Sequence, residues 1–208
     1  MSLDTWIALF LACWFISLSP GAGAIASMSS GLNHGFRTGY WNAIGLQLAL
    51  LLQVAVVAAG LGAILTTSEV AFGFIKWCGV AYLLYLGWKQ WNAPITVIQP
   101  DQEAKTKTTA LALVLRGFLV NASNPKAIIF ILAVLPQFIN PQQPLLPQYL
   151  IMTLTMVCVD LVVMAGYTGL AARVLRLLQQ PHHQAVMNKT FGGTFVAAAL
   201  LLTSVKSS

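Results

Sequence analysis

Acidic residues are nearly missing from this chain: five Asp and Glu in 208 residues, with all charged residues together at 8%. An ordinary soluble domain carries about a quarter. That scarcity, with 58% hydrophobic residues and a mean hydropathy of +0.77, excludes a soluble globular protein and leaves an integral membrane protein. Cysteine is also sparse. Cys13, Cys78 and Cys158 stand singly in apolar surroundings, with no C-x-x-C and no Cys/His ligand spacing. They read as small core residues, and the exchanging thiol pair that a membrane thiol oxidoreductase needs is missing. His182-His183 follow Pro181 without a carboxylate or thiol nearby and read as a polar turn rather than a metal site. No stretch alternates with the period of a barrel strand, so helices are the expected spanning element. Met1-Ser2-Leu3-Asp4 lacks the positive region of a signal peptide, so the first apolar stretch is expected to stay as a helix.

Six long apolar stretches are present, at about 5–30, 40–65, 70–91, 111–136, 147–173 and 188–205. Each is near or above the ~20 residues that cross a hydrocarbon core. Basic residues favour one side: Arg37, then Lys89, Lys105, Lys107 and Arg116, then Arg173, Arg176 and Lys189. The opposite side carries Asp4, Glu69, Lys206 and an uncharged loop from Gln137 to Gln148. The positive-inside bias puts the first, third and fifth loops in the cytoplasm and both termini in the periplasm. It also accounts for the net charge of +6 without nucleic acid as a partner. Trp6, Trp41, Trp88, Trp91 and Tyr149 near the span ends suit aromatic belts.

The polar segment Asn92–Thr109, with Pro94 and Pro100, reads as a cytoplasmic linker within one membrane domain, 1–208. It separates a first set of three helices (1–91) from a second (110–208). Three helices per set make the second enter the membrane inverted, a common transporter architecture. Ser19-Pro20-Gly21-Ala22 has a counterpart in Asn124-Pro125-Lys126-Ala127, and Lys76-x-x-Gly79-x-x-Tyr82 has one in Lys189-x-x-Gly192-x-x-Phe195. The expected fold is therefore an all-α membrane protein: six transmembrane helices in two inverted three-helix repeats, with helices one and four broken at Pro20 and Pro125.

Proline removes a helix hydrogen bond, and lipid supplies no replacement. Ser and Asn are strong N-caps and proline suits the first helical position, so Ser19-Pro20 and Asn124-Pro125 read as internal starts of half-helices. Two such starts near the midplane would favour a carboxylate, and Gly21 and Gly23 would let backbone approach it. The competing structural reading is a pair of ordinary proline kinks. Asp160 is the acidic residue deep in a span, a functional candidate for binding an ammonium or exchanging a proton; its alternative is a structural pair with Lys126. Gln47, Gln53, Asn121 and Tyr167 offer polar contacts to a zwitterion or between helices.

These residues resemble the LysE/RhtB-type amino-acid exporters of bacterial inner membranes. The similar stretches are Ser17-Leu-Ser-Pro-Gly-Ala-Gly23, Gly31-Leu-Asn-His-Gly-Phe-Arg-Thr-Gly39, Gly45-Leu-Gln47, Lys76-Trp-Cys-Gly-Val-Ala-Tyr-Leu83, Asn121-Ala-Ser-Asn-Pro-Lys126, Pro136-Gln-Phe138 and Asp160. They run in order through nearly the whole chain and look most like the branch exporting homoserine, homoserine lactone and threonine. The resemblance implies secondary efflux by proton exchange, no nucleotide or metal cofactor, no enzymatic activity, and a homodimer. It adds weight to Pro20, Pro125, Lys126 and Asp160. The expected substrate-binding set is Ser19, Pro20, Gly21, Gly23, Gln47, Asn121, Asn124, Pro125, Lys126 and Asp160, with Asp160 also coupling protons. The competing functions are a passive small-solute channel, the thiol oxidoreductase disfavoured above, and a membrane scaffold.

Overall fold

The computed structural model describes residues 1–65, 69–93, 108–140, 142–171, 173–174 and 180–204. Most of the expected linker, with Lys105 and Lys107, lies outside them, as do Arg176 and Lys206. The described residues form helices and short turns: α1 (Leu3–Leu18), α2 (Ala22–Gly39), α3 (Trp41–Leu65), α4 (Glu69–Trp91), α5 (Ala110–Ala122), α6 (Pro125–Val134) with a 3-10 turn (Leu135–Phe138), α7 (Leu145–Gly169) and α8 (Pro181–Ser204). Local sequence sets several ends. Ser2 Oγ caps α1 by accepting from the Thr5 N–H, and Thr109 Oγ1 caps α5 through Ala112.

Trp41–Gly60 and Leu145–Gly169 are each long and apolar enough to cross a membrane. The pairs α1/α2 and α5/α6 qualify when each is taken together, and their members meet at 58° and 60°. Two to four spans follow by length and composition. Both bends have one local cause. Ser19 and Asn124 each precede a proline, which drives a residue out of the helical region, and both are extended (ψ 113 and 106). Gly35 (φ 71) makes a further kink inside α2, where left-handed backbone requires glycine.

Packing is set by small residues. α3 lies chiefly against α5 and α4 against α8, while α7 takes both α1 and α2. At the α3–α5 crossing, a Cβ on Gly45 would run into the Val114 carbonyl, and one on Gly117 into the Asn42 carbonyl. Small residues of this kind let helices approach closely in lipid, where no hydrophobic force drives them together. The outer surface is apolar, with Leu11, Phe15, Leu115, Leu154 and Val162 exposed. The arrangement leaves a cavity where α1, α2, α3, α5, α6 and α7 meet.

Candidate substrate cavity

The cavity has a volume of about 90 Å³ and is built around the α1/α2 and α5/α6 breaks. Ser17, Ser19, Gly21, Gly23, Asn121, Asn124, Lys126 and Asp160 supply its polar lining. Leu46, Leu50, Phe130, Ile131 and Met156 supply an apolar wall. Of the ten expected site residues, seven line it. Pro20 and Pro125 do not; they shape the breaks. Gln47 stands one step behind, donating from Nε2 to Asp160 Oδ2 at 2.5 Å. Cys13, expected as a core residue, is buried and also lines the cavity.

The first break differs from the sequence expectation. Ser19 and Pro20 do not start a half-helix: Ser19 is the C-cap of α1, its N–H bonding the Phe15 carbonyl, and α2 begins only at Ala22 with Gly21 as N-cap. The reason is that Gly21 continues extended (φ −141, ψ −166), which delays the new helix. No side chain caps that start, so the first N–H groups of α2, in a segment that lines the cavity, are unclaimed by a cap. The Ser19 hydroxyl is 2% exposed and has no hydrogen-bond partner.

The preceding helix end is satisfied from far along the chain. Lys126 Nζ donates to the carbonyls of Ser19 (2.6 Å) and Ile16 (3.3 Å). Tyr167 Oη donates to the Leu18 carbonyl at 2.7 Å. A cation on the C-terminal carbonyls of α1 also meets the negative end of its dipole. An ammonium has three donors, so two bonds to carbonyls leave one for a cavity guest.

The second break is capped locally. Asn124 Oδ1 accepts from the Lys126 N–H at 3.1 Å with Pro125 at the first helical position. Ser123 Oγ donates to the Leu119 carbonyl (2.7 Å), and Gln53 Nε2 reaches the Asn121 carbonyl (2.7 Å). Asn121 Nδ2 in turn holds the Leu46 carbonyl (2.9 Å). Gln53 and Tyr167 therefore serve as helix caps.

Asp160 faces Lys126 in this cavity, and Ser17 joins Gln47 as a hydrogen-bond partner of its carboxylate. Sequence reasoning missed Ser17, whose signal was only its place beside the break. Gln47 Oε1 is buried without a partner next to the carboxylate. The cavity thus presents an acceptor, the Asp160 carboxylate, with Gln47 behind it, and donors in the Lys126 ammonium and the N–H groups opening α2. That is the complement of a zwitterion.

The family model for "LysE type translocator" matches residues 14–205. A homoserine/homoserine lactone efflux protein of Salmonella typhi is 41% identical over 206 residues, covering 99% of each chain. A protein of Vibrio cholerae serotype O1 described as an uncharacterized membrane protein is 39% identical over 209 residues, covering 100% of each. A leucine efflux protein of Klebsiella pneumoniae is 27% identical over 205 residues, covering 97% of this chain and 96% of its own. No solved structure matches.

Proposed function

From the premise that this chain belongs to the LysE type translocator family, and so is a transporter and not an enzyme, we propose that it exports small neutral amino acids from a bacterial cell by proton antiport. The substrates are homoserine and threonine, with homoserine lactone as a further candidate. The observation that carries this reading is the pairing of donors and acceptors across one cavity. The substrate carboxylate sits at the unclaimed N–H groups opening α2, against Lys126. Its ammonium sits against Asp160, which Gln47 holds from behind.

Volume narrows the cargo. A space of about 90 Å³ between the breaks disfavours nucleotides or peptides as cargo. The closer similarity to homoserine/homoserine lactone efflux proteins than to leucine efflux proteins supports the choice of homoserine.

In this reading the chain is one domain of six spans, 1–91 and 110–208 forming inverted repeats. The paired breaks and the α4–α8 contact between equivalent helices support that arrangement. It lies in the inner membrane with both termini periplasmic, following the loop charges. Asp160 alternates between proton and substrate as one half rocks against the other around the site. A homodimer belongs to the same reading, and the mass of the purified protein in detergent tests it.

The test uses inside-out membrane vesicles with an acidic lumen. Labelled homoserine should accumulate, accumulation should stop when the gradient is collapsed, and Asp160→Asn should abolish it while the protein stays folded. Flux that ignores the gradient would replace the antiporter with a channel.

A further inference from the structure

A second polar region lies beyond the cavity and has no part in holding substrate. It occupies the contact between α2 and α7 where α3 begins. Asn42 is fully buried and donates from Nδ2 to Ser27 Oγ at 3.2 Å; Ser27, also fully buried, lies 3.4 Å from the Met164 sulfur. Met164 is itself part of the cavity wall. One turn further along α7, the Thr168 carbonyl lies against Gly31 of α2. Four buried atoms here have no protein partner: Ser30 Oγ, Asn42 Oδ1, Thr168 Oγ1 and His34 Nε2.

Buried polar groups are almost always hydrogen-bonded, by ordered water if not by protein. Four orphans in one contact are hard to reconcile with a dry interface. Their order along the chain adds direction. Ser27, Ser30 and His34 recur at helical spacing on one face of α2, starting one turn after Ala24 in the cavity lining. From Ala24 to His34 is ten residues of helix, about 15 Å, ending at the Gly35 kink, after which the last turn of α2 brings Gly39, at the α2–α3 turn, against the Ser30 carbonyl.

We propose that this region is a water-filled track, from the α2–α3 turn past Ser30, Thr168 and Asn42 to the cavity at Met164, along which protons reach and leave Asp160. It rests on the antiport reading above, whose orientation puts the α2–α3 turn in the cytoplasm. The step is proton hopping through hydrogen-bonded waters: each water accepts one proton and passes on another, with no bond to carbon and no electron transfer.

Two measurements test it. In the first, Ser30→Cys protein is irradiated to generate hydroxyl radicals from its bound waters, and thiol oxidation is read by mass spectrometry. The track predicts oxidation well above that of the fully buried Met152; a rate as slow as that of Met152 overturns the proposal. This arm needs no transport, so it stands even if the antiport reading fails. In the second, Asn42→Leu and the shape-conserving Thr168→Val are reconstituted. Gradient-driven homoserine uptake should fall about tenfold or more while gradient-free homoserine counterflow holds within about twofold. Unchanged coupling in both variants, or loss of counterflow together with uptake in folded protein, overturns the path.

Discussion

The two helix breaks start from the same local chemistry and end as different devices. Ser19 and Asn124 are both extended because proline follows each. After Pro125 the chain turns helical at once, and Asn124 caps the new helix. After Pro20 a glycine stays extended, the new helix opens two residues late, and no side chain caps it. The ends before the breaks differ as well. α5 is closed by its neighbour Ser123 and, from the other half of the chain, by the neutral amide of Gln53, whereas α1 is closed from the other half by the Lys126 cation and by Tyr167. Both breaks therefore draw on the opposite half, but the second also carries its own N-cap, whereas the first depends on a distant cation and leaves its new helix without a side-chain cap. A site built on contacts between halves is one that rocking of the halves would remake, and it keeps free donors for a guest.

The largest effect should separate the two closures. Lys126→Met removes two charge-assisted bonds to α1 and the cation facing the substrate. Hydrogen bonds to charged groups contribute about 1.5–3 kcal/mol each, so homoserine transport should drop by about a hundredfold or more. Gln53→Leu uncaps only the Asn121 carbonyl. It should lower stability by about 1–3 kcal/mol and leave transport per folded molecule near wild type. Vesicle uptake and thermal melts on the two variants compare them directly, and equal losses of transport would erase the distinction.

Next in size is the contrast between the paired residues. Asn124→Ala deletes a working N-cap, worth about 1 kcal/mol, and should lower Tm by roughly 2–4 °C. Ser19→Ala deletes a hydroxyl without a partner and should leave Tm unchanged. A comparable fall in both would mean that Ser19 acts as a cap after all.

The smallest effect belongs to Gly21→Ala. Its backbone angles suit any residue, and the added Cβ would lie 3.4 Å from Lys126 Cδ. Melting should be unaffected, while KM for homoserine rises by up to about fivefold, the equivalent of roughly 1 kcal/mol. A large loss of kcat instead would place Gly21 in the moving part.

Much of this is legible in the sequence. Composition dictates helices in a membrane, and the cost of a charge at depth singles out Asp160 and Lys126. Asn124-Pro125 reads correctly as a cap followed by a first helical residue. Ser19-Pro20 carries nearly the same letters and reads wrongly, because the outcome there is decided by an extended glycine and by carbonyls that a distant lysine satisfies. Such capping depends on which helices meet, and no local pattern records that. Gln47 beside Asp160 and Tyr167 on Leu18 were hidden for the same reason: they were legible as polar side chains, but not as partners.

The central claim is that the substrate carboxylate sits at the first break against Lys126. Solid-state NMR on reconstituted protein tests it most directly, using homoserine labelled with ¹³C at the carboxyl carbon and protein labelled with ¹⁵N at the lysine ammonium groups. The account predicts strong dipolar dephasing of the bound carboxylate, as a hydrogen bond with N···O of about 2.8 Å requires, and its loss in Lys126→Met under conditions where ligand is still bound. Bound homoserine whose carboxylate shows no dephasing by lysine nitrogen would contradict it.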